Sequence, residues 1–76
     1  MEEVIVVSSP GCPICMQVKM ILKRNGISFD DCDISSEKGK KIVEESQMKS
    51  MPIVKIGESY YCGSSALAKV RDMVGF

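Results

Sequence analysis

Four consecutive β-branched residues, Val4-Ile5-Val6-Val7, are followed at once by Ser8-Ser9-Pro10-Gly11. A strand with one wet face alternates apolar and polar residues, whereas an unbroken apolar run belongs to a strand covered on both faces. The chain has only 76 residues. Most of the remaining residues must therefore serve to cover this central strand, and residues 1–76 are expected to form one domain. Such a small domain buries roughly 60% of its unfolded surface, so its core is thin.

The remaining elements are set by periodicity and punctuation. Cys12 to about Asn25 reads as a helix, with Cys15, Val18, Ile21 and Leu22 at helical spacing and Pro13 in the first helical position. Gly26 stands where helices exit through a left-handed residue. Ile27 to Ile34 reads as a second strand. Ser35 or Ser36 caps a second helix that runs to about Met48, with Ile42 and Val43 as its buried positions. Gly39 inside it costs about 1 kcal/mol relative to Ala. Met51 to Ile56 is a strand begun by Pro52, and Gly57-Glu58 turns it into Tyr60-Tyr61-Cys62, a hairpin. Gly63-Ser64-Ser65 breaks that strand and caps a last helix with Leu67, Val70, Met73 and Val74 on its apolar face. The predicted fold is α/β, in the order βαβαββα: a mixed four-stranded sheet flanked by helices on both faces.

The segment joining the first strand to the first helix carries the chemistry. In Cys12-Pro13-Ile14-Cys15 two residues separate the thiols, a spacing open to a redox pair, half a metal site or a haem attachment. Haem attachment needs a His after the second Cys; Met16 stands there, and the chain has no His. Helical residues three apart have Cβ atoms about 5–6 Å apart, and a disulfide wants roughly 3.5–4.5 Å. The non-helical geometry of a cap residue closes that gap. A helix start also presents unpaired N–H groups and the positive end of the helix dipole, which favour the thiolate, the attacking species in exchange. One reading makes Cys12 the exposed nucleophile and Cys15 the resolving thiol behind it. The alternative is a metal-binding module, with the pair completed by Cys32 and Cys62 or by a second subunit around zinc or an iron–sulfur cluster.

Composition narrows the partners. Ten basic and ten acidic residues cancel, against nucleic acid or an anionic membrane as target. The longest apolar run is far too short to span a bilayer. Met1-Glu2-Glu3 is acidic where a secretory signal is basic, so a cytoplasmic chain is expected, with its cysteines redox-active, metal-bound or simply buried rather than forming a disulfide framework.

With these elements in place, the chain resembles the glutaredoxin branch of the thioredoxin superfamily from about Val4 to Val74. The likeness is carried by Cys12-Pro13-Ile14-Cys15, by Met51-Pro52-Ile53-Val54 opening the hairpin, and by Cys62-Gly63 before the last helix. It implies a thioredoxin fold and a cis Met51–Pro52 bond facing the cysteine loop. It also implies a substrate groove made by Pro13, Ile14, Met51, Pro52, Cys62, Gly63 and Ser64. The implied activity is reduction of protein disulfides by a monomer without a tightly bound cofactor, in cell redox homeostasis or as electron donor to a reductase such as ribonucleotide reductase.

The implied electron source is glutathione or a thioredoxin-reductase-type donor. Glutathione-using members usually carry Lys at the position of Ser9, Tyr at Ile14, Thr-Val at Ser50-Met51, and Gly-Gly-Cys-Asp-Asp where this chain has Cys62-Gly63-Ser64-Ser65-Ala66. The small redoxins recharged by thioredoxin reductase carry Ser-Gly at Cys62-Gly63, within a Trp-Ser-Gly-Phe-Arg-Pro segment where this chain has Tyr61-Cys62-Gly63-Ser64-Ser65-Ala66.

Outside these motifs, Cys32 shares the parity of Ile34 and reads as core filling. Lys19, Lys49 and Lys55 read as solvated charges. Of Tyr60 and Tyr61, one is expected to pack and the other to face the groove. The six methionines read as ordinary packing.

Overall fold

A computed structural model describes residues 3–75; Met1 and Glu2, on which part of the N-terminal reading rests, lie outside them. The elements are β1 (Val4–Ser8), α1 (Pro13–Arg24), β2 (Asp30–Asp33), α2 (Glu37–Ser46), β3 (Ile53–Ile56), β4 (Ser59–Cys62) and α3 (Gly63–Met73). The strand order is β2-β1-β3-β4, with β1 parallel to β2 and antiparallel to β3, and β3 antiparallel to β4. This is the expected mixed sheet, with β1 inside it.

All five residues of β1 are buried, and their parity divides the core. Val4 and Val6 join Val54 and Ile56 of β3 against Val18 and Leu22 of α1 and Ala66 and Val70 of α3. On the opposite face Ile5, Val7, Cys32 and Ile53 pack on Ile42 of α2. The alternation of a strand thus feeds two cores from one apolar run.

Several boundaries differ from expectation for identifiable reasons. β2 begins at Asp30 because Ile27 still belongs to the helix exit: its N–H bonds back to the Leu22 carbonyl at 3.0 Å, and Ile27 and Phe29 pack toward the α1–α3 core. α2 ends at Ser46, since Gln47 turns left-handed (φ 58°) and its N–H returns to the Val43 carbonyl. β3 begins at Ile53, leaving Pro52 just outside. Ser64 and Ser65 do not cap α3; they lie inside its first turn, Cys62 is the cap residue, and no side chain bonds there. In α3 the buried residues are Ala66 and Val70, while Met73 in the last turn is exposed.

Gly39 is not merely tolerated. It is buried in α2, and a Cβ there would collide with the Asp33 carbonyl at the end of β2. Ser36 caps the same turn, accepting the Gly39 N–H at 3.0 Å while its hydroxyl donates to the Asp33 carbonyl at 2.6 Å.

Candidate functional site

The site is built at one end of the sheet. Val7 lies opposite Ile53, so Met51 and Pro52 stand beside the end of β1, where the cysteine loop departs. Ile53 in turn pairs with Cys62, which brings Gly63 to the same end, its N–H bonded to the Pro52 carbonyl at 3.0 Å. Ser50 also lies close to Gly63; its Cβ is 3.7 Å from where a Cβ on Gly63 would lie. The Met51–Pro52 bond is cis, and Gly63 has a φ of +56°, a conformation Gly adopts without cost. Ser64 is exposed next to it in α3.

Cys12 is the N-cap of α1, with extended backbone (φ −88°, ψ 109°) and Pro13 next to it at the first helical position. Its carbonyl accepts the Met16 N–H at 3.2 Å, closing the first turn. Its sulfur accepts the Cys15 N–H at 3.3 Å, so the side chain lies over the N-terminal end of the helix, where negative charge is favoured. Cys12 is half-buried rather than fully exposed at the loop tip. Cys15 is 2% exposed. The two thiols thus differ as expected, one at the surface end of the turn and one beneath it.

The surroundings of Cys15 hold its proton in place. Burial first, then the hydrogen bond to Cys12 and the nearness of the Cys12 charge, push its thiol up to about 11; a backbone hydrogen bond from Ser9 and the Lys19 charge pull the other way. Lys19 is not the solvated charge that its sequence position suggested. Its side chain is 24% exposed, its ammonium pairs with Asp31 at 2.9 Å, and the buried Ser8 hydroxyl donates to the same carboxylate at 3.4 Å. The signal was present in the sequence: Lys19 is one turn after Cys15, and Asp31 has the strand parity that faces α1.

Ile14 is half-buried against the α1–α3 core, and Met51 against the α2 core, so the two flank the site from opposite faces of the sheet. Both tyrosines pack, correcting the division made from sequence. Tyr61 lies on the α1–α3 side under the Lys69 ammonium, 5.5 Å from its ring centre. Tyr60 lies on the α2 side, donating to Glu45 at 3.0 Å with Lys55 over its ring. Cys32 is buried in the α2 core. It stands on one edge strand and Cys62 on the other, with Val7 and Ile53 between them. They cannot join Cys12 and Cys15 around one zinc ion, whose bonds to sulfur are about 2.3 Å. No group of three or more His, Cys, Asp or Glu among the described residues is placed to hold a metal.

A βαβαββα sheet with a Cys-x-x-Cys pair opening its first helix defines a small dithiol redoxin of thioredoxin fold. Residues 4–61 match the family model for Glutaredoxin. The chain is 28% identical over 69 residues to a glutaredoxin of Pseudomonas aeruginosa, covering 88% of this chain and 82% of the relative. The solution structure of a glutaredoxin from Brucella melitensis superposes with a TM-score of 0.69 at 31% identity, over 96% of this chain and 82% of that one. The glutaredoxin-like NrdH-redoxin of Escherichia coli shares the fold (TM-score 0.73, 15% identity, 95% of this chain and 90% of that one). The chain belongs to the glutaredoxin family, and its chemistry is that of a thiol–disulfide oxidoreductase.

Proposed function

We propose that this single-domain protein reduces protein disulfides through Cys12 as nucleophile and Cys15 as resolving thiol. The observation that carries the reading is the pairing of a cap cysteine, its sulfur over the helix start, with a buried cysteine on the same turn. Cys12 thiolate attacks one sulfur of the substrate disulfide; a Cys12–substrate disulfide forms and the other substrate sulfur leaves as thiolate. Cys15 then loses its proton to that departing thiolate and attacks the Cys12 sulfur. The second substrate thiolate leaves, and two electrons have moved from the protein to the substrate.

The environment of Cys15 supports this order. While Cys12 is free, its hydrogen bond and charge help keep Cys15 protonated. Once Cys12 is bound in a mixed disulfide, both influences disappear, so the proton becomes easier to remove at the step that needs it gone. Both electrons travel through sulfur–sulfur bonds, so the exchange requires no tightly bound cofactor. The groove around Pro13, Ile14, Met51, Pro52, Cys62, Gly63 and Ser64 would receive the substrate backbone. A cytoplasmic setting suits a protein whose working form is the dithiol, and we read the working unit as a monomer.

A thioredoxin-reductase-type donor fits better than glutathione. Ser9 and Ile14 stand where glutathione users carry Lys and Tyr, and the acidic pair after Gly63 is replaced by Ser65-Ala66. An assay of NADPH consumption tests the choice, supplying either thioredoxin reductase or glutathione with its reductase. Faster turnover with the first is expected; faster turnover with glutathione would reverse the donor assignment while leaving the exchange chemistry intact.

A further inference from the structure

The outward side of α1 is unusual for a helix in a neutral protein. From Pro13 to Arg24 it carries Lys19, Lys23 and Arg24 and not one acidic residue. Between these charges, one turn apart, Met16 and Met20 are 65% and 49% exposed. Outward positions of a surface helix are ordinarily polar, so the methionines are not explained by the fold.

The two methionines belong to a continuous surface. Met16, Lys19, Met20 and Lys23 line a shallow depression of about 300 Å³. Met20 also lines a second one of about 250 Å³ between α1 and α3, together with Gln17, Ile21, Leu67 and Arg71. Each has room for side chains of a partner rather than for a large cofactor. Methionine is the side chain that best adapts to partners of varied shape. The charge has one sign: Lys23 and Arg71 border the apolar floor, and the carboxylate that engages Lys19, Asp31, comes from β2 behind the helix.

We infer that this face docks the protein substrate, through an apolar, acidic segment that neighbours the substrate disulfide. The inference rests on the exchange reading and adds the class of substrate. Position supports it, because Met16 is one helical turn from Cys12, about 6 Å along the axis. A segment seated on Met16 and Met20 leaves its neighbouring cystine over the attacking sulfur. The acidic side chains of the segment would meet Lys23 and Arg71, and opposite charge raises encounter rates in a salt-dependent way.

The test uses two synthetic peptides with the same intramolecular disulfide loop, one extended by a Leu/Glu-rich segment and the other by a Leu/Lys-rich segment. A small aromatic disulfide serves as a reference that needs no docking face. Reduced wild-type protein should reduce the acidic peptide about tenfold faster than the basic one, within the range of electrostatic steering. Met20→Ser and Lys23→Glu, both at exposed positions, should each remove most of that advantage, as should high salt with the wild type. The reference rate should stay as it is. Equal rates for the two peptides, or an advantage that survives both substitutions, would overturn the docking surface. So would binding to phosphatidylglycerol vesicles that blocks the acidic peptide, since the face would then be a membrane contact. Failure to reduce the reference disulfide would instead sink the exchange reading, whatever the peptides do.

Discussion

Cys12 and Cys15 share one turn of helix, whereas Cys32 and Cys62 share one row of the sheet, on the edge strands at its two ends. Along that row, Cys32, Val7, Ile53 and Cys62 succeed one another across four strands. Three strand spacings amount to about 14 Å, beyond the roughly 7 Å over which Cα atoms can be bridged. The same residue type therefore has two fates in one sheet-and-helix fold. At the helix start, the spacing puts two cysteines on one turn, the arrangement on which the proposed exchange rests. In the sheet, register holds two sulfurs apart, and burial pushes the Cys32 thiol up and keeps it protonated.

The largest expected effects separate these pairs. Cys12→Ser should lower turnover of a protein disulfide by about a thousandfold or more, as expected when a nucleophile is removed. Cys15→Ser should still take the first step and accumulate a mixed disulfide with the substrate, visible by mass spectrometry. Cys32→Ser should leave turnover within about twofold, since a core change remote from the site acts on stability before chemistry. A large loss of turnover from Cys32→Ser in protein that still folds would end the contrast.

Next in size is the seal over Cys32. α2 covers it, and α2 can lie close to the end of β2 because Gly39 has no Cβ to meet the Asp33 carbonyl. Gly39→Ala should displace the helix and destabilise the protein by about 1–3 kcal/mol, measured by urea unfolding. The same variant should make Cys32 accessible to an aromatic disulfide reagent under native conditions. If the variant is destabilised and Cys32 still fails to react, its silence has a cause other than α2.

A third test concerns Cys15 and pH. Its thiol ionises at about 11 in the folded dithiol, above the ordinary 9.0. A raised value stabilises the fold fully below the unfolded value, and that contribution is lost as pH rises through the folded one. The reduced protein should therefore lose stability between pH 9 and about 11, and Cys15→Ala should lose less over the same window. Thiolate absorbance should also show Cys15 titrating lower in Cys12→Ser, because two of the influences that raise it come from Cys12.

How far the fold was legible from sequence depended on whether each signal was local. The β-branched run of β1, the helical spacing of α1 and the turn at Gly57-Glu58 are local, and they give the element order and the place of Cys12-Pro13-Ile14-Cys15. Gly39 looked like a weakness in a helix, because its reason is a carbonyl on another element. Periodicity points to Met73 rather than Ala66, because it does not rank the small residue that close approach of α3 to the sheet favours. The three aspartates of β2 were legible only as a loosely polar strand. Register explains them: Asp31 points to α1 and Lys19, while Asp30 points to α2, where Lys38 meets it at 2.7 Å. Asp33 accepts the Ser35 hydroxyl and amide in the turn, which hold its carboxyl below the usual range.

The smallest expected effect tests whether the two members of the helical pair depend on more than each other. Lys19 lies one turn beyond Cys15, and its charge lowers the Cys15 thiol, though less than burial raises it. It is held in place by Asp31, whose other contact is the Ser8 hydroxyl. Removing the cation should therefore move Cys15 titration upward, with little change in stability, since partly exposed ion pairs contribute about 0–1 kcal/mol. With a small aromatic disulfide as substrate, Lys19→Met should show that upward movement in thiolate absorbance and a slower second exchange step at neutral pH, with the first step at Cys12 unaffected. Lys19→Arg, which keeps the charge, should restore most of the rate. If Lys19→Met and Lys19→Arg titrate alike, the Asp31 pair serves only to hold α1 against β2, and the reactivity of Cys15 is set by burial and Cys12 alone.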